Sequence, residues 1–171
     1  DFVALLRNAC GPDKSALKSA QERNLQLTKP VGALGRLEDL ALWYAAWRAD
    51  PRPTLEHPQV IIFAGNHGVV ARGISLYPSD VTAQMVMNFH SGGAAINQLS
   101  DCFGAKLDVH AIGLESPTQD FTLGAAMTQK DFLNALRLGW NSVDNQTDLL
   151  VTGEMGIGNT TSAAAISLAL F

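Results

Sequence analysis

The sequence predicts an α/β fold: a parallel sheet flanked by helices and preceded by N-terminal helices. Three observations carry that expectation. Apolar residues recur at helical spacing in several segments, three short strand-like runs lie among them, and glycine-bearing polar loops follow two of those runs. Composition agrees. Of 171 residues, 47% are hydrophobic and 16% charged, the balance of a chain that buries a core rather than staying disordered.

Residues 13–28 read as a helix capped by Asp13 or Ser15, with Ala16, Leu17, Ala20, Leu25 and Leu27 as apolar positions. Residues 28–32 break it with Pro30 and Gly32. A second helix, 34–48, places its stripe at Leu37, Leu40, Ala41, Tyr44, Ala45 and Trp47 or Arg48. These form a helical segment, residues 1–54, ahead of an α/β core, residues 55–171. The run QVIIFA at 59–64 reads as a strand buried on both faces. Ser79 or Asp80 caps a helix to about Asn88, Gly92-Gly93 interrupts, and a further helix covers 94–103. The second strand, 106–114, alternates Leu107, Val109 and Ala111 with Asp108 and His110. Turn chemistry fills 115–127. Thr128 starts a helix to about Val143, with Asp131 in its first turn. The third strand is DLLVT at 148–152, which opens into a glycine loop and a last helix.

Three strands make a small sheet, so the sheet is expected to be incomplete, with further strands beyond Phe171. The last helix stops there without Gly, Asn or a basic residue to cap it and reads as truncated. At the other end Asp1 stands where a Met is expected, which leaves room for residues ahead of it.

Several function classes are disfavoured. A net charge of −4 without a basic run argues against nucleic-acid binding. No apolar run approaches the ~20 residues of a membrane span, and residues 1–3 show no leader pattern. Cys10 and Cys102 form no CxxC and read as reduced thiols of a cytoplasmic protein. His57, His67, His90 and His110 show no metal-ligand spacing, so no metal is expected.

In an open parallel sheet ligands bind beyond the carboxyl ends of the strands. Two strands end there in Gly65-Asn66-His67-Gly68 and in Gly153-Glu154-Met155-Gly156-Ile157-Gly158-Asn159-Thr160-Thr161. The second loop can bring backbone close to a ligand, and the free N–H groups and hydroxyls at Asn159–Thr161 suit an anion. Its spacing is GxxGxG, neither a dinucleotide fingerprint nor a P-loop, so a plain β-to-α turn capped by Thr explains it about as well. Glu154 would be repelled by a phosphate and is expected to face a ribose or a base. His67 is expected to hydrogen-bond within its own loop rather than act as a base. Tyr77 and Met85 could form an apolar slot for a flat heterocycle, whereas Met87 and Phe89 read as core.

The strings Lys29–Glu38 (KPxGxLGRLE), Phe63–Val69, Tyr77–Asn88 with Gly92–Asn97, and Gly153–Thr161 (GEMGIGNTT) together resemble the N-terminal half of the nicotinate-nucleotide:dimethylbenzimidazole phosphoribosyltransferase family. They stand in the family's order and span nearly the whole chain. The resemblance implies a Rossmann-like fold, usually a homodimer, that moves phosphoribose from nicotinate mononucleotide to 5,6-dimethylbenzimidazole in cobalamin biosynthesis, with no cofactor. It implies that Glu154, Met155, Gly156, Gly158, Asn159, Thr160 and Thr161 line the nucleotide site and that Tyr77 and Met85 fall near the benzimidazole. It also implies that the principal general base lies beyond Phe171, which leaves Glu154 in a supporting role. The competing expectation is a catalytically incomplete chain that only binds nucleotide or azole. A generic dinucleotide protein is disfavoured because GxGxxG is absent.

Overall fold

The computed structural model describes residues 2–171, with side chains from Val3 onward. Asp1, where the segment read for a leader begins, lies outside them. The chain divides into two compact units, Asp1–Leu55 and Glu56–Phe171.

The first unit holds α1 (Phe2–Arg7), α2 (Lys14–Gln26) and α3 (Arg36–Arg48). The short α1 has no counterpart in the sequence reading. Asp13 is the cap of α2, its Oδ1 accepting from the Ala16 amide at 2.7 Å. The pair α2 and α3 pack together, and their buried residues are small: Ala16, Ala20, Ala45 and Ala46. The expected stripe on α3 therefore keeps Ala45 buried and Tyr44 half-buried but fails elsewhere, Ala41 included. Leu37, Leu40 and Trp47 are exposed, as is Trp43. Apolar residues encircle this helix, so periodicity alone does not select the inward side, and alanines permit the closer approach.

Glu38 closes the loop between these helices. Its carboxylate accepts from Asn24 Nδ2 at 2.8 Å, Lys29 Nζ at 2.8 Å and the Leu34 amide at 3.0 Å. The KPxGxLGRLE string is thus tied up by its own glutamate. The hydrogen bonds from Asn24, Lys29 and Leu34 hold the Glu38 carboxyl down to about 2, from an ordinary 4.5. A carboxylate depressed in the folded state stabilises fully above its unfolded pKa, and that contribution fades as pH falls from about 4.5 towards 2. Acid titration followed by helical circular dichroism is expected to show a transition in that window. Glu38→Gln should weaken the unit at neutral pH and flatten its acid limb. An unchanged acid profile in Glu38→Gln would remove this carboxylate from the account.

The second unit runs β1 (Pro58–Gly65), α4 (Asp80–His90), α5 (Ala95–Phe103), β2 (Lys106–Ile112), α6 (Gln129–Asn141), β3 (Leu149–Met155) and α7 (Asn159–Leu170), with a 3-10 turn at Gly68–Arg72. The three strands form one parallel sheet in the order β2-β1-β3. The central strand is the β-branched run, with Val60, Ile61, Ile62 and Ala64 all buried. Both faces of β1 are covered, as its continuous apolar sequence requires. On one face Val60 and Ile62 join Phe89 of α4, with Met85, Ile96, Leu107, Val109 and Met155 packed around them. On the other, Phe63 and His110 stack with ring centroids 5.4 Å apart.

Gln59 is 1% exposed and uses its whole amide. Nε2 donates to Asp108 Oδ2 at 2.7 Å and to the Ser142 carbonyl at 2.9 Å. Oε1 accepts from the Asp144 amide at 3.0 Å and Thr147 Oγ1 at 2.7 Å. One side chain thereby joins β1, β2 and the turn that leads from α6 to β3.

The chain leaves β1 towards β2 on one side and returns to β3 on the other. The crevice between β1 and β3, at their carboxyl ends, is the topological switch point of the sheet, where open α/β sheets bind ligands.

Candidate functional site

Both glycine loops open into that crevice. The strand β3 is longer than its sequence suggests, and Gly153 and Glu154 lie within it, paired with Ile62 and Phe63 of β1. The sequence reading ends this strand at Thr152 because glycine and glutamate are poor strand formers. Here Gly153 suits the ladder, since a Cβ would sit 3.2 Å from Ile62 Cγ1.

Strand alternation then separates neighbours. Met155 packs on the Val60–Phe89 core, and Glu154, one residue earlier, lines the groove on the opposite face. After Met155 the backbone folds back over the β1 loop. A Cβ on Gly156 would collide with the Gly65 carbonyl oxygen and the Asn159 side chain, and Gly158, at φ 92°, lies against Val70. Both positions require glycine, one for close approach and one for its left-handed backbone. Thr82 of α4, fully buried, steadies this turn by accepting the Ile157 amide at 3.1 Å on its hydroxyl.

Helix α7 starts at Asn159. The Asn159 amide bonds the Gly156 carbonyl, and the Ser162 amide bonds that of Gly158. Among the described residues the amides and hydroxyls of Thr160 and Thr161 have no acceptor or donor partner. They supply donors at a positive helix end, the chemistry that holds a phosphate.

The loop after β1 is fixed to the one after β2. Gly68 donates its amide to Thr118 O at 2.8 Å, and Thr118 returns one to Asn66 O at 3.2 Å. Asn66, 8% exposed, donates Nδ2 to Leu114 O at 3.0 Å. Arg72 Nε donates to Asp120 Oδ2 at 2.6 Å. Hydrogen bonds from Thr122 and Arg72 lower the Asp120 pKa, so this clasp is charged at neutral pH.

His67 corrects the sequence reading. Its ring does not close its own loop but crosses to α7, where Nε2 bonds Asn159 Oδ1 and Nδ1 lies 3.1 Å from Ser162 Oγ. Asn159 Nδ2 in turn donates to Glu154 Oε2. The result is a chain Ser162–His67–Asn159–Glu154 across the crevice. Sequence reasoning misses Ser162 and Thr82 because they look like ordinary helix residues.

A groove of about 970 Å³ runs from this chain along the sheet edge. Polar groups of Asn66, His67, Glu154 and Asn159 stand at one part of it, and Ile112, Pro117, Ala126 and Leu138 give it apolar walls. That mixture suits an aromatic ring joined to a polar, charged group. The structure brings Glu154 and Asn159 together with His67 in the groove, whereas Thr160 and Thr161 follow Asn159 in the first turn of α7 and, like Met155, Gly156 and Gly158, do not line it. Tyr77 and Met85 do not line the groove: Tyr77 is exposed on the loop before α4, and Met85 packs against the core. Among the described residues no cluster of three His, Cys, Asp or Glu is placed to hold a metal ion, and no helix is long and apolar enough to cross a membrane.

Comparison with known proteins gives a consistent result. A family model described as phosphoribosyltransferase matches residues 10–171. The chain is 65% identical over 170 residues to the nicotinate-nucleotide–dimethylbenzimidazole phosphoribosyltransferase of Ruegeria pomeroyi, covering 99% of this chain and 51% of that protein. It is 61% identical to the protein of the same name from a Jannaschia species, covering 100% of this chain and 51% of the relative. The crystal structure of the Thermus thermophilus enzyme of that name superposes with a TM-score of 0.82 at 39% identity, over 92% of this chain and 54% of that one. The chain spans about half the length of the curated relatives it matches.

Proposed function

We propose, from the premise that this chain belongs to the nicotinate-nucleotide–dimethylbenzimidazole phosphoribosyltransferase family, that its crevice holds nicotinate mononucleotide for phosphoribosyl transfer to 5,6-dimethylbenzimidazole. One observation carries the reading: the β1 and β3 loops converge at the switch point, with a carboxylate at the strand end and free amides at the start of α7.

In this reading the labour is divided. The amides and hydroxyls of Thr160 and Thr161 hold the phosphate, and Asn159, Gly156 and Gly158 set the path of the backbone around it. Glu154 faces the ribose or the ring. An azole nitrogen attacks the anomeric carbon, and the bond from that carbon to the pyridinium nitrogen breaks. The electron pair leaves with nicotinate, whose ring becomes neutral. The azole's other nitrogen loses its proton to a carboxylate, which balances the charge. Alignment of both rings on one crevice supplies much of the acceleration. The step needs neither a redox partner nor an electrophilic cofactor. Met155 and Met85 lie on the core side, and Tyr77 stands on the loop before α4, outside the groove, so neither Tyr77 nor Met85 is assigned a contact with the azole.

Calorimetry with nicotinate mononucleotide tests the loop. Thr160→Ala removes one hydroxyl donor to an anion and should weaken binding roughly tenfold. Equal affinity would take Thr160 out of the phosphate site. Nicotinate release in the presence of dimethylbenzimidazole tests the chemistry, with Glu154→Gln expected to lower turnover about a hundredfold.

A second reading is nucleotide or azole binding without turnover. Binding with no nicotinate release by this chain would select it. The proposed partners are these small molecules and a second copy of the chain in the cytoplasm, with neither nucleic acid nor membrane involved. The exposed Leu37, Leu40, Trp43 and Trp47 of α3 support self-association, which sedimentation would read directly.

A further inference from the structure

One histidine stands where three loops of the second unit meet, and the reaction described above gives it no role. The backbone of His67 forms a parallel bridge with Thr118, and its ring bonds Ser162 and Asn159 on α7. Asn159 bonds Glu154.

The polarity of this set follows from what each group can do. A carboxylate accepts, so Asn159 must offer its Nδ2 to Glu154 and turn Oδ1 towards the ring. The ring must then donate from Nε2. In the neutral imidazole Nδ1 is left as an acceptor, and the Ser162 hydroxyl is the donor placed to fill it. Without an N–H on His67 Nε2, Asn159 Oδ1 loses its donor and the amide is no longer held in this orientation.

Only Oε2 of Glu154 is held by this chain of bonds. Among the described residues Oε1 has no hydrogen bond, and Glu154 lines the groove. We propose that His67 is a positioning residue: through Asn159 it fixes which oxygen of Glu154 the protein holds and which one faces the ligand. The proposal rests on the reading of Glu154 as the substrate-facing carboxylate. It assigns His67 no proton transfer to substrate.

Two variants separate positioning from packing. His67→Phe keeps a ring and removes both nitrogens, whereas His67→Gln keeps an N–H able to reach Asn159. Long-range nitrogen–proton spectra of the unliganded chain should show the His67 proton on Nε2. The Glu154 carboxylate carbon resonance should move in His67→Phe and return towards wild type in His67→Gln. Calorimetry with nicotinate mononucleotide should show about tenfold weaker binding for His67→Phe and binding within about threefold of wild type for His67→Gln.

A His67 ring with no proton on Nε2 would overturn the proposal. So would a Glu154 resonance indifferent to His67→Phe, or equal loss in both variants. If wild type fails to bind nicotinate mononucleotide, the assigned substrate is wrong, and the tautomer and the Glu154 resonance still decide the role of His67.

Discussion

Gly156→Ala is expected to lower both stability and nucleotide affinity, because the added methyl has no free space. It would meet the Gly65 carbonyl oxygen on one side and the Asn159 side chain on the other. The first is backbone at the end of the central strand and cannot rotate away. The second can move only by giving up its bonds to His67 and Glu154. Overpacking of this kind costs about 1–3 kcal/mol, or roughly 3–10 °C of melting temperature in a chain of this size. Displacing Asn159 should also weaken nicotinate mononucleotide binding by on the order of tenfold or more, since an unpinned Glu154 and a shifted helix start act together. Gly139→Ala is the matched control. It lies within α6 with nothing near its Cβ position and should be neutral or stabilising by up to about 1 kcal/mol. If Gly156→Ala melts and binds like Gly139→Ala, the tight closure of the two loops is not required.

Gln59→Leu should have the largest effect on folding alone. The substitution removes an amide whose two hydrogens and two lone pairs are all in use. It takes a partner from the Asp144 amide, the Thr147 hydroxyl, the Ser142 carbonyl and one oxygen of Asp108, at a site that is 1% exposed in the native protein. Each orphaned group carries a desolvation penalty, and even with partial access of water the sum should be about 3–4 kcal/mol. Leucine's better hydrophobicity does not offset this, because the partners rather than the glutamine bear most of the loss. Chemical denaturation should show a lower midpoint with an unchanged slope. A change under about 1 kcal/mol, the net worth of a single hydrogen bond, would mean that the four partners find water in the folded state. Nucleotide affinity under folded conditions should hardly change, since Gln59 sits at the opposite end of β1 from the crevice.

These contrasts show what the sequence makes legible. The run QVIIFA announces a strand covered on both sides, and alternation in KLDVHAI separates Leu107 and Val109 from Asp108 and His110, as the structure bears out. The start of α7 at Asn159 follows from glycines that cannot propagate a helix and threonines that can begin one. By contrast, the last residues of β3 look like a turn, because what fits glycine there is Ile62 on another strand. The partners of His67 lie 92 and 95 residues away, beyond any local pattern. The inward side of α3 is misread for a related reason: small residues pack it, and size enters no periodicity count.

The bridge between His67 and Thr118 has a consequence for the thermodynamics of recognition. Loops that must be ordered by a ligand charge the binding reaction about 1–2 kcal/mol of backbone entropy for every residue fixed. Here the segment after β1 is already sewn to the one after β2 by the Gly68–Thr118 and Thr118–Asn66 hydrogen bonds and by the Arg72–Asp120 pair. A ligand arriving at the crevice meets a rim whose freedom was surrendered during folding, so its contact energy goes into affinity and alignment rather than into ordering the rim.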